Sequence, residues 1–218
     1  EAIRALMVAR RSAAGERTRA INQARALLLT GPDDLRARFT RHTPAALVAG
    51  ITGLRPRPGD TPGYAVRIAL RELGRRAQFL DGQLERLDEL IVPLVTARAP
   101  GLLALYGIGP HTAALLLIAA GDHPGRLRSE AAWAHLCAAA PIPASSGKVT
   151  RHRLNPGGDR QANHALWRVA FTRMGSDAAT RAYVERRTAE GKSKAEIIRC
   201  LKRYVAREVY PHLRPATR

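Results

Sequence analysis

A chain of 218 residues with 45% hydrophobic and 25% charged residues has enough apolar content to bury a core, which excludes disorder throughout and fits one or two domains. Its 36 Lys and Arg against 18 Asp and Glu leave a net charge of +18, which points to a polyanionic partner. Nothing approaches a membrane-spanning run and the cations are not gathered in one short tail, so the expected partner is nucleic acid, with no membrane and a cytoplasmic, nucleoid-associated location. The excess is uneven: 17 basic against 10 acidic residues in 1–100, 2 against 2 in 101–140, and 17 against 6 in 141–218. The neutral middle reads as core and the last third as the main polyanion-facing surface. Cys137 and Cys200 have no CxxC spacing and read as buried free thiols in a reducing compartment.

Residues 1–29 are rich in Ala, Leu and Arg and contain no proline, with apolar residues at Ile3, Leu6, Met7, Ala14, Ile21, Ala24 and Leu28. This pattern predicts a long amphipathic helix, already under way at Glu1, so the chain is expected to continue upstream. Gly31-Pro32 stops it, and Asp33 or Asp34 is placed to cap a short helix towards Phe39. A connector spans about 31–63, with one small helix over Ala45–Ile51. Then Val66, Leu70, Leu73, Ala77, Leu80, Leu84, Leu87, Ile91 and Leu94 alternate spacings of four and three, the a/d seam of a coiled coil. The helix at 1–29 returning antiparallel would cover this seam, and pairing with another subunit, giving a homo-oligomer, is the other solution. Pro93 and Pro100-Gly101 are expected to end the helix.

Leu102 to Ile118 reads as a short helix, a Gly107-Ile108-Gly109 hairpin and a second apolar helix from near Thr112. That is the pattern of a helix-hairpin-helix near 102–120, in which Gly107, Gly109 and the amides around Thr112 approach a phosphate, or of a tight turn between two core helices. A helix over 129–140 follows, capped by Ser129, with Trp133, Leu136 and Cys137 on one face. The loop 141–160 carries Ser145 and Ser146 between Pro and Gly residues, followed by Lys148, Arg151, Arg153 and Arg160. A hydroxyl among cations suits attack on a phosphodiester, whereas a serine bonding its own turn is the plainer alternative. Asp159 is placed to cap the next helix, over Gln161–Met174, whose apolar face is read as Ala162, Leu166, Trp167, Val169 and Ala170. Two more helices, at about 177–190 and 193–209, complete the chain. No convincing strand is present and the expected fold is all-α: long antiparallel coiled-coil helices in 1–98 and a compact helical domain in 99–218. No Cys/His cluster has metal spacing and no acidic cluster suits a catalytic metal, so no cofactor is expected in this chain.

The ordered string Gly107-Ile-Gly-Pro-His-Thr-Ala, Gly121-Asp122, Ala140-Pro-Ile-Pro-Ala-Ser-Ser-Gly-Lys, Arg151-His-Arg, and Gly157-Gly-Asp-Arg-Gln-Ala-Asn with Ala165-Leu-Trp resembles the C-terminal domain of insertion-sequence transposases of the IS110 group. These are DEDD-type, bridge-RNA-guided DNA recombinases. The match spans about 102–175, and the coiled coil ahead of it fits the family's layout. The resemblance implies a serine nucleophile, Ser146 with Ser145 as second choice, that forms a covalent link to DNA. By position, Lys148, Arg151, Arg153 and Arg160 would bind the phosphate or its neighbours. It also implies guide RNA and DNA as partners. A RuvC-like domain with four acidic ligands for Mg²⁺ would precede Glu1 in the longer protein, and without it this part is expected to be inactive alone. The rival reading is a non-catalytic nucleic-acid-binding module in which hairpin and basic tail grip phosphates.

Overall fold

The computed structural model describes residues 1–56, 61–123, 125, 127–145, 147 and 152–213. The chain is mostly helical, with ten α-helices among the described residues, one pair of two-residue strands and a closing 3-10 turn. It divides into two compact units, one of Ala5–Leu90 and one of Glu1–Arg4 with Ile91–Arg218.

The Ala5–Leu90 unit is built from α1 (Ala2–Thr30), α2 (Asp33–Phe39), α3 (Pro44–Thr52) and most of α4 (Thr61–Arg98). Its core joins Ile21, Ala24 and Leu28 of α1 to Leu35 and Phe39 of α2, Leu47, Val48 and Ile51 of α3, and Leu70 and Ala77 of α4. Close approach of α3 to α4 depends on Gly74, where a Cβ would sit 2.5 Å from Thr52 Oγ1 and 2.8 Å from Ile51 Cγ1. Thr43 caps α3 by accepting from the Ala46 amide, and Pro44 stands at the first helical position, where no N–H is missed.

Ion pairs fix the direction of α1 against α4. Arg10 forks onto Asp88, Arg17 forks onto Asp81, and Arg76 Nη2 lies 2.6 Å from Glu16. From Arg10–Asp88 to Arg17–Asp81 the partner moves back along α4 as the chain advances along α1, so the two helices run antiparallel within one chain. The seam that the sequence left open between two partners is thus covered by α1. Its burial also shifts along α4: Leu70, Ala77, Leu80 and Ile91 are buried and Leu84 and Leu87 half-buried, but Leu94 is 38% exposed while Val95 is fully buried. A seven-residue repeat lags a straight helix by about 20° per heptad, so four heptads past Val66 the next residue holds the inward direction better than the one in register. Pro93, expected to stop the helix, lies inside it at an exposed position, and at such positions water can take up the carbonyl that a helix proline leaves without its N–H partner. Asp33 and Asp34 give α2 no side-chain cap; they pair with Arg36 and Arg67 instead.

The other unit contains α5 (Pro100–Leu103), α6 (Pro110–Ala120), α7 (Glu130–Leu136), β1 (Ile142–Pro143), β2 (His152–Arg153), α8 (Arg160–Ser176), α9 (Ala178–Ala189), α10 (Lys194–Val209) and the 3-10 turn Tyr210–Leu213. The apolar helix α6 buries Ala113, Ala114, Leu115, Leu116, Ala119 and Ala120, as a helix without a polar face must. Packed on it is α8, which also meets α10, and α10 reaches α7. Trp133 and Leu166 are fully buried. Arg203 on α10 forks onto Glu130 of α7, and Arg173 on α8 pairs with Glu208 of α10 at 2.6 Å. A capping box of Ser193 and Glu196 opens α10. The helix expected over 129–140 ends at Leu136, because Ala138 turns to a φ of +51° and the Ala139 and Ala140 amides bend back to the Ala134 carbonyl. The strand pair is a feature the sequence reading lacked: two residues a side, one of them proline, carry no readable alternation.

Candidate nucleic-acid interface

The serine loop leaves α7 and returns to α8 at a single clamped base. Asp159 accepts from the Gln161 and Ala162 amides at 2.7 and 2.9 Å, capping α8 as its position predicted, while its own amide donates to the Leu136 carbonyl at 2.6 Å. Asn163, one turn into α8, donates its side-chain amide to the Cys137 and Ala138 carbonyls at 2.8 and 3.2 Å. Lys202 Nζ on α10 donates to Asn163 Oδ1 at 3.1 Å, and burial holds that ammonium below the usual lysine range. Asn155 adds a bond from its side-chain amide to the His135 carbonyl and accepts from the Gly157 amide. The carbonyls past the end of α7, orphaned by the helix stop, are therefore taken up by the chain returning into α8.

Gly158 is the tightest point of this clamp. Its φ is +95°, and a Cβ there would stand 2.5 Å from the Leu136 carbonyl oxygen, 2.9 Å from the Ala138 nitrogen and 3.0 Å from the His135 oxygen. Only glycine meets both demands.

From this base the chain runs out as an antiparallel pair, Ile142 opposite Arg153 and Pro143 opposite His152. Ser145 lies exposed beyond β1, followed two residues later by Gly147 with φ +59°. Ser146, Lys148 and Arg151 lie outside the described residues. Arg153 is exposed on β2 and Arg160 is exposed at the first position of α8; neither has a carboxylate within ion-pair distance among the described residues. Many arginines of α1 and α4, by contrast, are engaged with Asp or Glu.

The Gly107–Gly109 turn sits against α8. Gly107 has φ +78°, and Arg173 Nε donates to the neighbouring Tyr106 carbonyl at 2.9 Å while its other nitrogens hold Glu208. Ile108 is buried; Gly109 is exposed and is the N-cap of α6, with Pro110 at the first position and Thr112 half-buried in the first turn. Cys137 is fully buried, and burial followed by the Asp159 charge pushes its thiol well above the ordinary cysteine range, so it is no nucleophile; Cys200 is partly buried. Among the described residues no three His, Cys, Asp or Glu side chains are gathered as a metal site would need. No helix among the described residues is long and apolar enough to cross a membrane.

Two features escaped the sequence reading. The Asn163–Lys202 bond joins residues 39 apart whose types gave no sign of pairing, although Asn163 lay within a quoted motif. Trp167, read as part of the inward face, is only half-buried; it stacks between His164 and Phe171 on the outer side of α8. The register Ala162, Leu166, Val169, Ala170 already defined the inward stripe, and Trp167 falls beside it.

Known proteins match this same part of the chain. Residues 100–185 match the family model of the Transposase IS116/IS110/IS902 family. A curated relative from Streptomyces coelicolor, "Insertion element IS110 uncharacterized 43.6 kDa protein", is 33% identical over 138 residues, covering 62% of this chain and 34% of the relative. The match thus spans about a third of that relative's length. Residues 100–185, with the clamped loop near their centre, are thus similar to the transposases of the IS116/IS110/IS902 family, and the chain is similar to a part of the IS110 protein.

Proposed function

We propose that this chain is the serine-bearing, DNA-handling part of a transposase that recombines DNA under RNA guidance. The Ser146 hydroxyl attacks a DNA phosphodiester: its Oγ–P bond forms as one P–O bond to deoxyribose breaks, and the displaced oxygen leaves as a strand-end hydroxyl. A hydroxyl of the exchanging strand then attacks the phosphoserine, restoring the serine. Lys148, Arg151, Arg153 and Arg160 hold the phosphate and offset the charge that grows on its oxygens. Ser145 is the second assignment for the nucleophile. Chemistry that needs Mg²⁺ belongs to a RuvC-like domain of the longer protein.

The observation that supports this reading most directly is the clamp. It holds both ends of the 141–159 loop at one point on α7 and α8, within a segment that matches a transposase family, and presents Arg153 and Arg160 with no carboxylate within ion-pair distance among the described residues. A nucleophile loop needs such a fixed base, because misplacement by an ångström costs orders of magnitude in rate. The Gly107–Gly109 turn with the start of α6 acts as a helix-hairpin-helix that grips backbone phosphate through Gly107, Gly109 and Thr112. Helices α1 and α4 form an antiparallel coiled coil within the chain. Homo-oligomerisation then uses the outward side of α4, where Phe79 and Leu90 are 67% and 56% exposed.

The test is covalent capture. This chain with its upstream domain, Mg²⁺, guide RNA and labelled target DNA is denatured, and protein–DNA adducts are scored for wild type, Ser146→Ala and Ser145→Ala. An adduct lost only with Ser146→Ala supports the assignment, and loss only with Ser145→Ala moves it by one residue. Recombination without any adduct would refute the covalent serine mechanism. If recombination also fails while DNA binding persists, a non-catalytic binding module is the better description.

A further inference from the structure

Beyond the serine loop, α8 displays three flat rings in series. His164, Trp167 and Phe171 recur at i, i+3 and i+7; the first pair of ring centroids is 5.7 Å apart with planes 25° from parallel, the second 5.2 Å apart at 21°. The opposite side of the same helix buries Ala162, Leu166, Val169 and Ala170, so these rings are not core. His164 is exposed and Phe171 is 48% exposed. Arg160 and Arg168, one turn on either side of His164, are exposed, and neither has a carboxylate within ion-pair distance among the described residues.

A near-parallel aromatic stack between exposed guanidinium groups matches a stacked, anionic strand: rings for bases, cations for the phosphates that join them. A protein partner covering the same stripe would have to bring carboxylates to both arginines and still bury three rings. We propose that the His164–Trp167–Phe171 ladder is a stacking platform for unpaired bases of single-stranded DNA, flanked by Arg160 and Arg168 as phosphate contacts. This inference rests on the reading of the chain as a DNA-handling transposase part, since strand exchange exposes unpaired nucleotides. It adds a site that the serine chemistry does not require. Arg160 also opens α8 at the clamp, which places the ladder on the helix that anchors the serine loop.

The chain holds two tryptophans, and Trp133 is fully buried, so emission changes on binding report Trp167. The full 218-residue chain is titrated with a twelve-nucleotide thymidine oligomer, with an abasic deoxyribose-phosphate oligomer of equal length, and with a twelve-base-pair duplex, each at two salt concentrations. The expected result is quenching by the thymidine oligomer, roughly ten-fold or weaker binding of the abasic one, and a similar loss for Trp167→Ala and Phe171→Ala towards thymidine only, with Trp167→Phe largely restoring it. The abasic comparison needs no variant, so an unfolded Trp167→Ala protein leaves the test intact. Equal affinity for thymidine and abasic oligomers, with no quenching, would overturn the platform. Tighter binding of a uridine oligomer than of thymidine would overturn the assignment to DNA. Salt-sensitive binding of the duplex separates these failures from failure of the underlying reading, which would show as no nucleic-acid binding at all.

Discussion

Replacing Gly158 by alanine tests whether the clamp sets the stability of the family-matched unit. At φ +95° an L-residue is strained by about 1–3 kcal/mol. The new Cβ would also lie 2.5 Å from the Leu136 carbonyl oxygen, the atom that accepts from the Asp159 amide, so relieving the clash pulls Asp159 away from the start of α8. Loss of a helix N-cap adds about 1 kcal/mol. The expected loss for Gly158→Ala is about 2–4 kcal/mol, or about 4–16 °C in melting temperature at roughly 2–4 °C per kcal/mol. Thermal unfolding followed by circular dichroism measures it. Gly175→Ala is the control of opposite sign: it lies within α8 with nothing within 4 Å of its Cβ position, and alanine there should stabilise by ~0.5–1 kcal/mol. A Gly158→Ala protein melting within about 1 °C of wild type, or no lower than Gly175→Ala, would refute the reasoning.

Arg17→Asp should destabilise the Ala5–Leu90 unit and Asp81→Arg in the same chain should recover most of the loss; a double-mutant cycle should give a coupling of about 0.5–1 kcal/mol that shrinks in 1 M salt. The Asp177 carboxyl accepts from the Thr180 hydroxyl and amide, which hold it below its usual range. Its contribution is therefore complete above the unfolded value near 3.8 and fades as pH falls through the lower folded value, so the stability gap between wild type and Asp177→Ala should close on acidification in denaturant titrations. In native protein, alkylation should label Cys200 first and leave Cys137 unmodified until denaturant is added, as mass spectrometry of the labelled peptides would show.

Much of the architecture was legible because it rests on local pattern. The proline-free run at 1–29, the small helix over Ala45–Ile51 and the Asp159 cap each declare themselves within a few residues. The seam at 66–94 showed that α4 needed a cover, but only the Arg10–Asp88 and Arg17–Asp81 forks show that α1 of the same chain supplies it. Where reading failed, the deciding partner was remote or the register fine. Pro93 reads as a stop until its exposed position inside α4 is known, and Trp167 lies one residue from the buried Leu166, a step that turns a side chain through about 100° on a helix. The site divides similarly: the motif residues were visible, but their roles were not. Gly158, Asp159 and Asn163 hold the base of the loop, and the signal for that was bound up in the Leu136, Cys137 and Ala138 carbonyls, which sequence does not distinguish.

That division makes a prediction of its own. Residues with internal work should lose function through stability, whereas cations without it should lose function alone. Gly158, Asp159 and Asn163 are of the first kind. Arg153 and Arg160 are of the second, exposed and without carboxylate partners among the described residues. Arg153→Ala and Arg160→Ala should each stay within about 0.5 kcal/mol of wild-type stability, as surface changes away from caps and cores do. Each should nonetheless weaken duplex DNA binding and lower the slope of log affinity against log salt by about one, the mark of a lost phosphate contact. Asn163→Ala should do the reverse, lowering the melting temperature while leaving the salt slope unchanged for the protein that remains folded. If the arginine variants melt early, or bind DNA with an unchanged slope, their charges serve the fold, and the phosphate role assigned to them at the serine loop is wrong.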